Sequence, residues 1–389
     1  MKMPVIDKVE QLHDEMVGWR RDLHAHPELG FTESRTSTFI QERLKSFDVD
    51  EIQTFTGTGV VGVIHGSDGN EAIGLRADID ALPIVEESGV PYASTKAGVM
   101  HACGHDGHTA MLLGAAKYLA ANRKFKGTVY LIFQPAEEIG GARQVVADGL
   151  FDRFPMLRVF GMHNFPSMPV GEFHWRNGPI MAAANFFEIR ITGRGAHGAQ
   201  PHYAIDPIVA GSSLVSALQS IVSRTIDPYQ AAVVTIGSFQ AGMAANAIPS
   251  EAVLKGTARW LDERVGETIQ RAIRRMATCV AESYGATAEV EMHMVAPTTI
   301  NEEAAMSLAR NAAKAVAGPA AVVEMEQPVM GGEDFAYMLG VKQGAYILLG
   351  AKRDGLNPML HHPSFDFNDA ILSTGAAYWV KLVEQQLAV

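Results

Sequence analysis

Residues 185–193, NFFEIRITG, alternate apolar and polar side chains and end on glycine, the pattern of a half-buried β-strand. The elements after this strand decide the fold. Residues 206–225, DPIVAGSSLVSALQSIVSRT, read as a helix opened by Asp206, with Pro207 at the first helical position, where a backbone N–H would have no partner. Residues 231–239, AAVVTIGSF, and 251–261, EAVLKGTARWL, are two further strands. A helix over 263–283 and a strand over 287–295, TAEVEMHMV, complete the order βαββαβ. Such a run is a small α+β unit in its own right.

The flanks of this unit follow a different rule, alternating helical and strand periods with glycine between them. The runs VVGVIHG (60–66), AIGLRADID (72–80), GTVYLIFQP (127–135) and LRVFGMHNF (157–165) are short, apolar and rich in Val, Ile and Phe, as strands buried on both faces are. Helices fit over 7–24, 108–121 and 143–150; beyond residue 298 the pattern resumes with a helix over 302–316, a strand over 345–350 and a helix over 368–387. The expected fold is therefore α/β: a discontinuous domain over residues 1–183 and 296–389, built on a mixed, mostly parallel sheet flanked by helices. A ferredoxin-like α+β insert over residues 184–295 interrupts it.

Composition narrows the function. With 389 residues, 47% hydrophobic and 19% charged, the chain can bury two cores. Its 32 Lys+Arg against 43 Asp+Glu leave a net charge of −11, without the cationic surplus that nucleic acid or an anionic membrane surface requires. No run is long and apolar enough to span a bilayer and the first residues carry no apolar leader core, so a cytoplasmic location is expected. Two cysteines, Cys103 and Cys279, make no disulfide framework and fit a reducing compartment.

The chemistry is written in the histidines. Three of the 14 lie in HACGHDGH (101–108), and the pair His361-His362 precedes Pro363. Thiolate and imidazole are the donors that Zn²⁺ and its divalent neighbours accept, and a glycine between Cys103 and His105 lets both converge from one tight turn. Glu137 and Glu138 follow the buried strand GTVYLIF, His163 ends another, and Asp78 and Asp80 leave a third. Donors gathered at several strand ends point to a metal site built on loops over a rigid sheet. Cys103, His105, Glu138, His163 and His361 are five candidates, with Asp78, Asp80, Glu137 and His362 in reserve, more than one tetrahedral ion uses. Two divalent ions are expected. Glu137 is then the spare carboxylate that moves the attacking water's proton, and Asp80 orients a ligating imidazole and raises its basicity. Two other readings compete: a thiol hydrolase with Cys103 as nucleophile, which needs a strained turn to bring His105 to it, and a non-catalytic binding protein that keeps the fold.

The runs WRRDLHAHPELGF (19–31), RADIDALPI (76–84), HACGHDGHTAML (101–112), QPAEE (134–138), GMHNFP (161–166), GRGAHGAQPH (193–202), ANAIP (245–249), GGEDFAYM (331–338) and LHHPSFDFND (360–369) span nearly the whole chain in order. Together they resemble the hippurate hydrolase and indole-acetyl-amino-acid hydrolase group of the aminoacylase-type dimetal amidohydrolases. The resemblance implies a catalytic domain with a lid, two divalent metals among Mn²⁺, Zn²⁺, Co²⁺ and Ni²⁺, and hydrolysis of the amide joining an acyl group to an amino acid. It implies Cys103 in the bridging position, His105, Glu138, His163 and His361 as the other ligands, and Glu137 as general acid/base. His361 is taken over His362 because the family's His stands two residues before the Pro.

From the lid, the resemblance implies His197 stabilising the tetrahedral oxyanion, Asn246 and Arg259 holding a substrate carboxylate, and Glu333 shaping the pocket. It further implies an N-acyl amino acid substrate with an aromatic acyl group, an aminoacylase or carboxypeptidase activity being the alternative, and a homo-oligomer formed through the lid. More distant relatives carry His at position 78 and Asp at position 103, and the Ile-Gly-Gly-Ala after Glu138 is one Gly short of the usual pattern. Met162, Met181, Met330, Phe165 and Phe335, beside these motifs, are either pocket lining or core.

Overall fold

A computed structural model describes residues 7–389; residues 1–6, which the sequence reading assigns to the larger domain, lie outside the described residues. The chain forms two compact units. The larger takes the chain up to Ile180, Ile300–Pro328 and Asp334–Val389, and the smaller takes Met181–Thr299 and Val329–Glu333. The short return of Val329–Glu333 to the smaller unit has a local cause: the Ala182 N–H donates to the carbonyls of Val329 and Gly331, at 3.0 and 2.9 Å.

Eight strands make the sheet of the larger unit, in spatial order Glu51–Phe55, Gly59–His65, Lys126–Gln134, Ser67–Asp78, Arg158–Phe165, Gly344–Gly350, Phe173–Trp175 and Val322–Glu324. The four central strands, Lys126–Gln134 to Gly344–Gly350, run parallel. Their neighbours Gly59–His65 and Phe173–Trp175 run antiparallel to them, so the sheet is mixed. Every residue of Gly344–Gly350 is buried, as a strand covered on both faces must be. Parallel central strands bring the carboxyl ends at Asp78, Gln134, Phe165 and Gly350 to one edge, where open α/β sheets bind ligands.

Several elements differ from the sequence reading for identifiable reasons. The helix expected over 108–121 begins three residues earlier, as His105–Ala121, because Gly104 turns the chain with a φ of 98°. The N-terminal helix is two, Asp7–Glu10 and His13–Ala25. The last helix, Leu372–Gln386, follows a 3₁₀ turn at Asp369–Ile371 whose Ala370 N–H is capped by the Asn368 side chain. The helix Ser34–Ser46 escapes the sequence reading because its buried face, Thr36, Ser37, Phe39, Ile40 and Leu44, is a narrow stripe in a polar segment.

The smaller unit is an antiparallel sheet in the order Ala232–Ala241, Glu251–Trp260, Ala183–Thr192, Thr287–Ala296. Helices Pro207–Ser220 and Glu263–Ser283 pack on it around Phe187, Ile189, Leu214, Leu254, Trp260 and Ile273. The Asp206 carboxylate accepts from the N–H groups of Ile208 and Val209, and Asp262 from that of Arg264, so both helices start at side-chain caps. Among the described residues no helix is long and apolar enough to cross a membrane.

Candidate metal centre

Three turns at the carboxyl edge of the large sheet deliver the donors, and each contains a residue with left-handed backbone. Between Cys103 and His105, Gly104 has φ 98°, and a Cβ there would lie 2.3 Å from Asn164 Oδ1. Before Glu137, Ala136 has φ 58°, and its N–H donates to the buried Glu33 carboxylate at 2.9 Å. His361 itself has φ 65°, and its N–H donates to the Ala102 carbonyl at 2.8 Å. Non-glycine residues persist in this region only where surrounding structure holds them, which is common at functional sites.

With His163 from the end of the strand Arg158–Phe165, these turns bring together two sets of donor atoms that share one thiol. The ligand atoms of Cys103, His105 and His163 lie within 4.8 Å of one another, as do those of Cys103, Glu138 and His361. Cys103 Sγ is 3.3 Å from His163 Nε2, and His361 Nε2 is 3.2 Å from Glu138 Oε1. Outer contacts fix which imidazole nitrogen faces inward. His163 Nδ1 donates to the Asn164 carbonyl at 2.7 Å, and His105 Nδ1 donates to Asp80, to its carbonyl at 3.0 Å and its Oδ1 at 3.2 Å. The other Asp80 oxygen accepts the Glu138 N–H at 3.1 Å, so one carboxylate orients two donors. His105 Nε2 is buried and has no hydrogen-bond partner. An orphaned, inward-facing imidazole nitrogen within a Cys/His/Glu set fits a pair of divalent ions.

Electrostatics agree with that fit. Burial, together with Glu138, Glu137 and Asp78, pushes the Cys103 thiol well above its usual range, so only a bound cation would hold it as thiolate. Burial works against charge on His105, but Asp78, Asp80 and Glu138 outweigh it and raise its pKa to about 10. Burial and the neighbouring His108 and His105 hold His163 well below the imidazole range, as the neutral base a metal binds. The pocket carries an excess of acid that cations would offset.

The remaining candidates fall into two groups. Asp78 already accepts from Arg76 Nη1 and from His108 Nδ1, each at 2.6 Å, while its Oδ1 also stands 3.8 Å from His105 Nε2, so that Asp78, His105 and His108 form a further candidate ligand set. His362 accepts the Ser364 N–H on Nδ1 at 3.0 Å and shapes a turn. Met162 and Phe335 are core residues. In the smaller unit, exposed His197 lies opposite Ala247 in a two-residue ladder, and the Gly198 N–H donates to the Asn246 carbonyl at 2.8 Å. Arg259, on Glu251–Trp260, is half-buried; burial lowers its pKa, and among the described residues it pairs with no carboxylate. Its Nη1 would lie 3.1 Å from a Cβ at Gly332, so glycine leaves the guanidinium its room. Glu333 is buried and ends the segment Val329–Glu333.

Residues 74–385 match the peptidase family M20/M25/M40. The chain belongs to that family. It is 41% identical to the hippurate hydrolase of Campylobacter jejuni over 99% of this chain and all of that one. It is 42% identical to an N-acetyl-L-cysteine deacetylase of Bacillus subtilis over 93% of this chain and 85% of that one. The crystal structure of the Bacillus subtilis YXEP protein, a dinuclear metal binding peptidase of the M20 family, superimposes with a TM-score of 0.81 at 36% identity, covering 97% of this chain and 99% of that one. This M20 chain is thus an enzyme, a hydrolase acting on amide bonds.

Beneath the donors of the M20 enzyme lies a buried ionic cluster that sequence reasoning passed over. His24 Nδ1 is 2.8 Å from Asp106 Oδ2 and Nε2 is 3.1 Å from Glu86 Oε1, with Arg20 3.7 Å from the same Asp106 oxygen. Burial works against charge on His24, but its hydrogen bonds to Asp106 and Glu86 outweigh it and lift its pKa to about 9. A histidine whose pKa rises on folding contributes fully below its unfolded value of 6.5 and loses that contribution as pH climbs through about 9. The urea midpoint of the metal-loaded protein is expected to drop over that interval, by a loss on the order of 3 kcal/mol, and His24→Gln is expected to remove the drop. Equal slopes in the two proteins would refute the assignment.

Proposed function

We propose that this M20 enzyme hydrolyses N-acyl-L-amino acids of the hippurate type, with aromatic acyl groups preferred, to a carboxylic acid and a free amino acid. The observation that carries the reading is the donor cluster around buried Cys103, with one further carboxylate, Glu137, beside it. Cys103, His105, Glu138, His163 and His361 would hold two divalent ions, Mn²⁺ or Zn²⁺, with Co²⁺ and Ni²⁺ as the other candidates; the thiol favours softer ions than a carboxylate would. Such ions supply Lewis acidity, acidifying water in the site and polarising the amide carbonyl.

The rest of the chemistry belongs to side chains. Glu137 takes the proton of the attacking water and returns it to the leaving nitrogen. Asp80 holds His105 in register. The larger unit is the catalytic domain and the smaller one the lid, from which His197 stabilises the oxyanion, Asn246 and Arg259 bind the substrate carboxylate and Glu333 bounds the pocket. The lid also supplies the contact of a homo-oligomer, a reading supported by its edge strand Ala232–Ala241, whose outer side has no strand partner among the described residues and which carries exposed Val233 and Phe239. Two free cysteines, one in the metal centre, suit a reducing cytoplasm.

A second reading, removal of acetyl groups or of C-terminal amino acids by the same site, draws on the deacetylase relative. The test is hydrolysis of benzoyl-glycine, acetyl-methionine and indole-acetyl-alanine by chelator-stripped enzyme, with and without Mn²⁺ or Zn²⁺. Activity is expected only with metal, and fastest on benzoyl-glycine; a faster acetyl-methionine reaction would favour the second reading. Undiminished activity after stripping, lost on alkylation of Cys103, would replace the metal mechanism with a thiol one.

A further inference from the structure

Arg76 is fully buried, in the buried second half of the strand Ser67–Asp78, and such a charge requires partners. Its Nε donates to Gln134 Oε1 at 2.8 Å, its Nη1 to Asp78 and its Nη2 to Asp334 Oδ1 at 3.0 Å. Asp334, also buried, accepts the Gln134 side-chain amide on both oxygens at 2.9 Å and the Ala142 N–H on Oδ2 at 2.7 Å. Gln134 opens the turn that carries Glu137, and Ala142 lies just beyond its end, so one carboxylate grips the turn on both sides. The backbone N–H of Asp334 in turn donates to Glu137 Oε1 at 3.2 Å.

We propose that Asp334, anchored by Arg76, is a positioning residue that fixes where the Glu137 carboxylate stands and which way it faces, without binding metal or substrate. This rests on the reading of Glu137 as the general acid/base. Asp334 is poorly suited to ligation, because both of its oxygens already face N–H donors of Arg76, Gln134 and Ala142. An asparagine keeps the shape but sets an NH₂ group against one of those donors, so the turn must shift. A misplacement of about 1 Å at a reacting group costs about 100-fold in rate.

The test compares wild type, D334N, E137Q and D334N/E137Q on whichever of the three amides wild type cleaves fastest, with metal content measured on each protein. D334N is expected to keep two ions per chain and a KM within about 3-fold of wild type, while kcat falls about 10- to 100-fold. In the E137Q background the same change is expected to cost almost nothing, because Asp334 acts through Glu137. An equal loss in both backgrounds, or loss of metal from D334N, would overturn the proposal. An E137Q enzyme that stays active would instead overturn the reading of Glu137, whatever D334N does. Arg76→Lys keeps a charge beside Asp334 but cannot hold Gln134, Asp78 and Asp334 together. It is expected to show the same pattern, and it decides the matter if D334N does not fold.

Discussion

Glu137→Gln is expected to lower kcat by about 10²- to 10⁴-fold while the protein still binds two ions, the range attributable to a lost general acid/base. The substitution keeps side-chain size and an oxygen to accept the Asp334 N–H, so the turn has no reason to move. Glu137 Oε2 stands 4.0 Å from His105 Nε2, whereas Glu138 lies against Cys103 and His361. Removing the charge at 137 therefore takes away a proton carrier and leaves the shared-thiol donor sets whole. Steady-state kinetics with metal analysis of the same sample checks this. An E137Q enzyme within 10-fold of wild type, or one that has shed a metal, contradicts the role.

Cys103→Ser is expected to have the opposite signature, losing metal first and activity as a consequence. Cys103 belongs to both donor sets, so its replacement weakens both sites at once, by more than the about 10- to 100-fold typical of removing a residue that only supports a ligand. Because burial and three carboxylates keep the free thiol protonated, loading must expel a proton, and metal affinity of the wild type should rise with pH. Equilibrium titration of stripped protein with Zn²⁺ or Mn²⁺ at two pH values reads both effects. Wild-type affinity and stoichiometry in C103S would remove Cys103 from the shared position.

The βαββαβ order was legible because its signals are local: Asp206 and Asp262 cap helices within three residues, and apolar residues in the strands recur with period two. The donor candidates were legible because cysteine, histidine and adjacent glutamates are rare enough to stand out at strand ends. The supports behind the donors were not. Arg76 and Asp334 meet across 258 positions, and Glu33 reaches Ala136 across 103, contacts that only the folded sheet creates. A signal did exist for Arg76, since an arginine within AIGLRAD must find a buried anion. Which anion it finds is a property of the tertiary structure. Between neighbouring His361 and His362, spacing to the Pro already favoured the first; in the fold His361, at a left-handed φ, faces Glu138 and His362 a backbone N–H.

The strand Gly344–Gly350 enters the large sheet between Arg158–Phe165 and Phe173–Trp175, both made long before it, and His361 comes later still. On the ribosome, the Met181–Thr299 segment of the smaller unit is finished while the large sheet still has a gap at its middle. Cys103, His105, Glu138 and His163 must wait for that late strand and for the histidine behind it. On the proposed ligand set, a nascent or prematurely terminated chain that stops before residue 361 lacks one donor, which would tie the capture of metal to the last steps of biosynthesis.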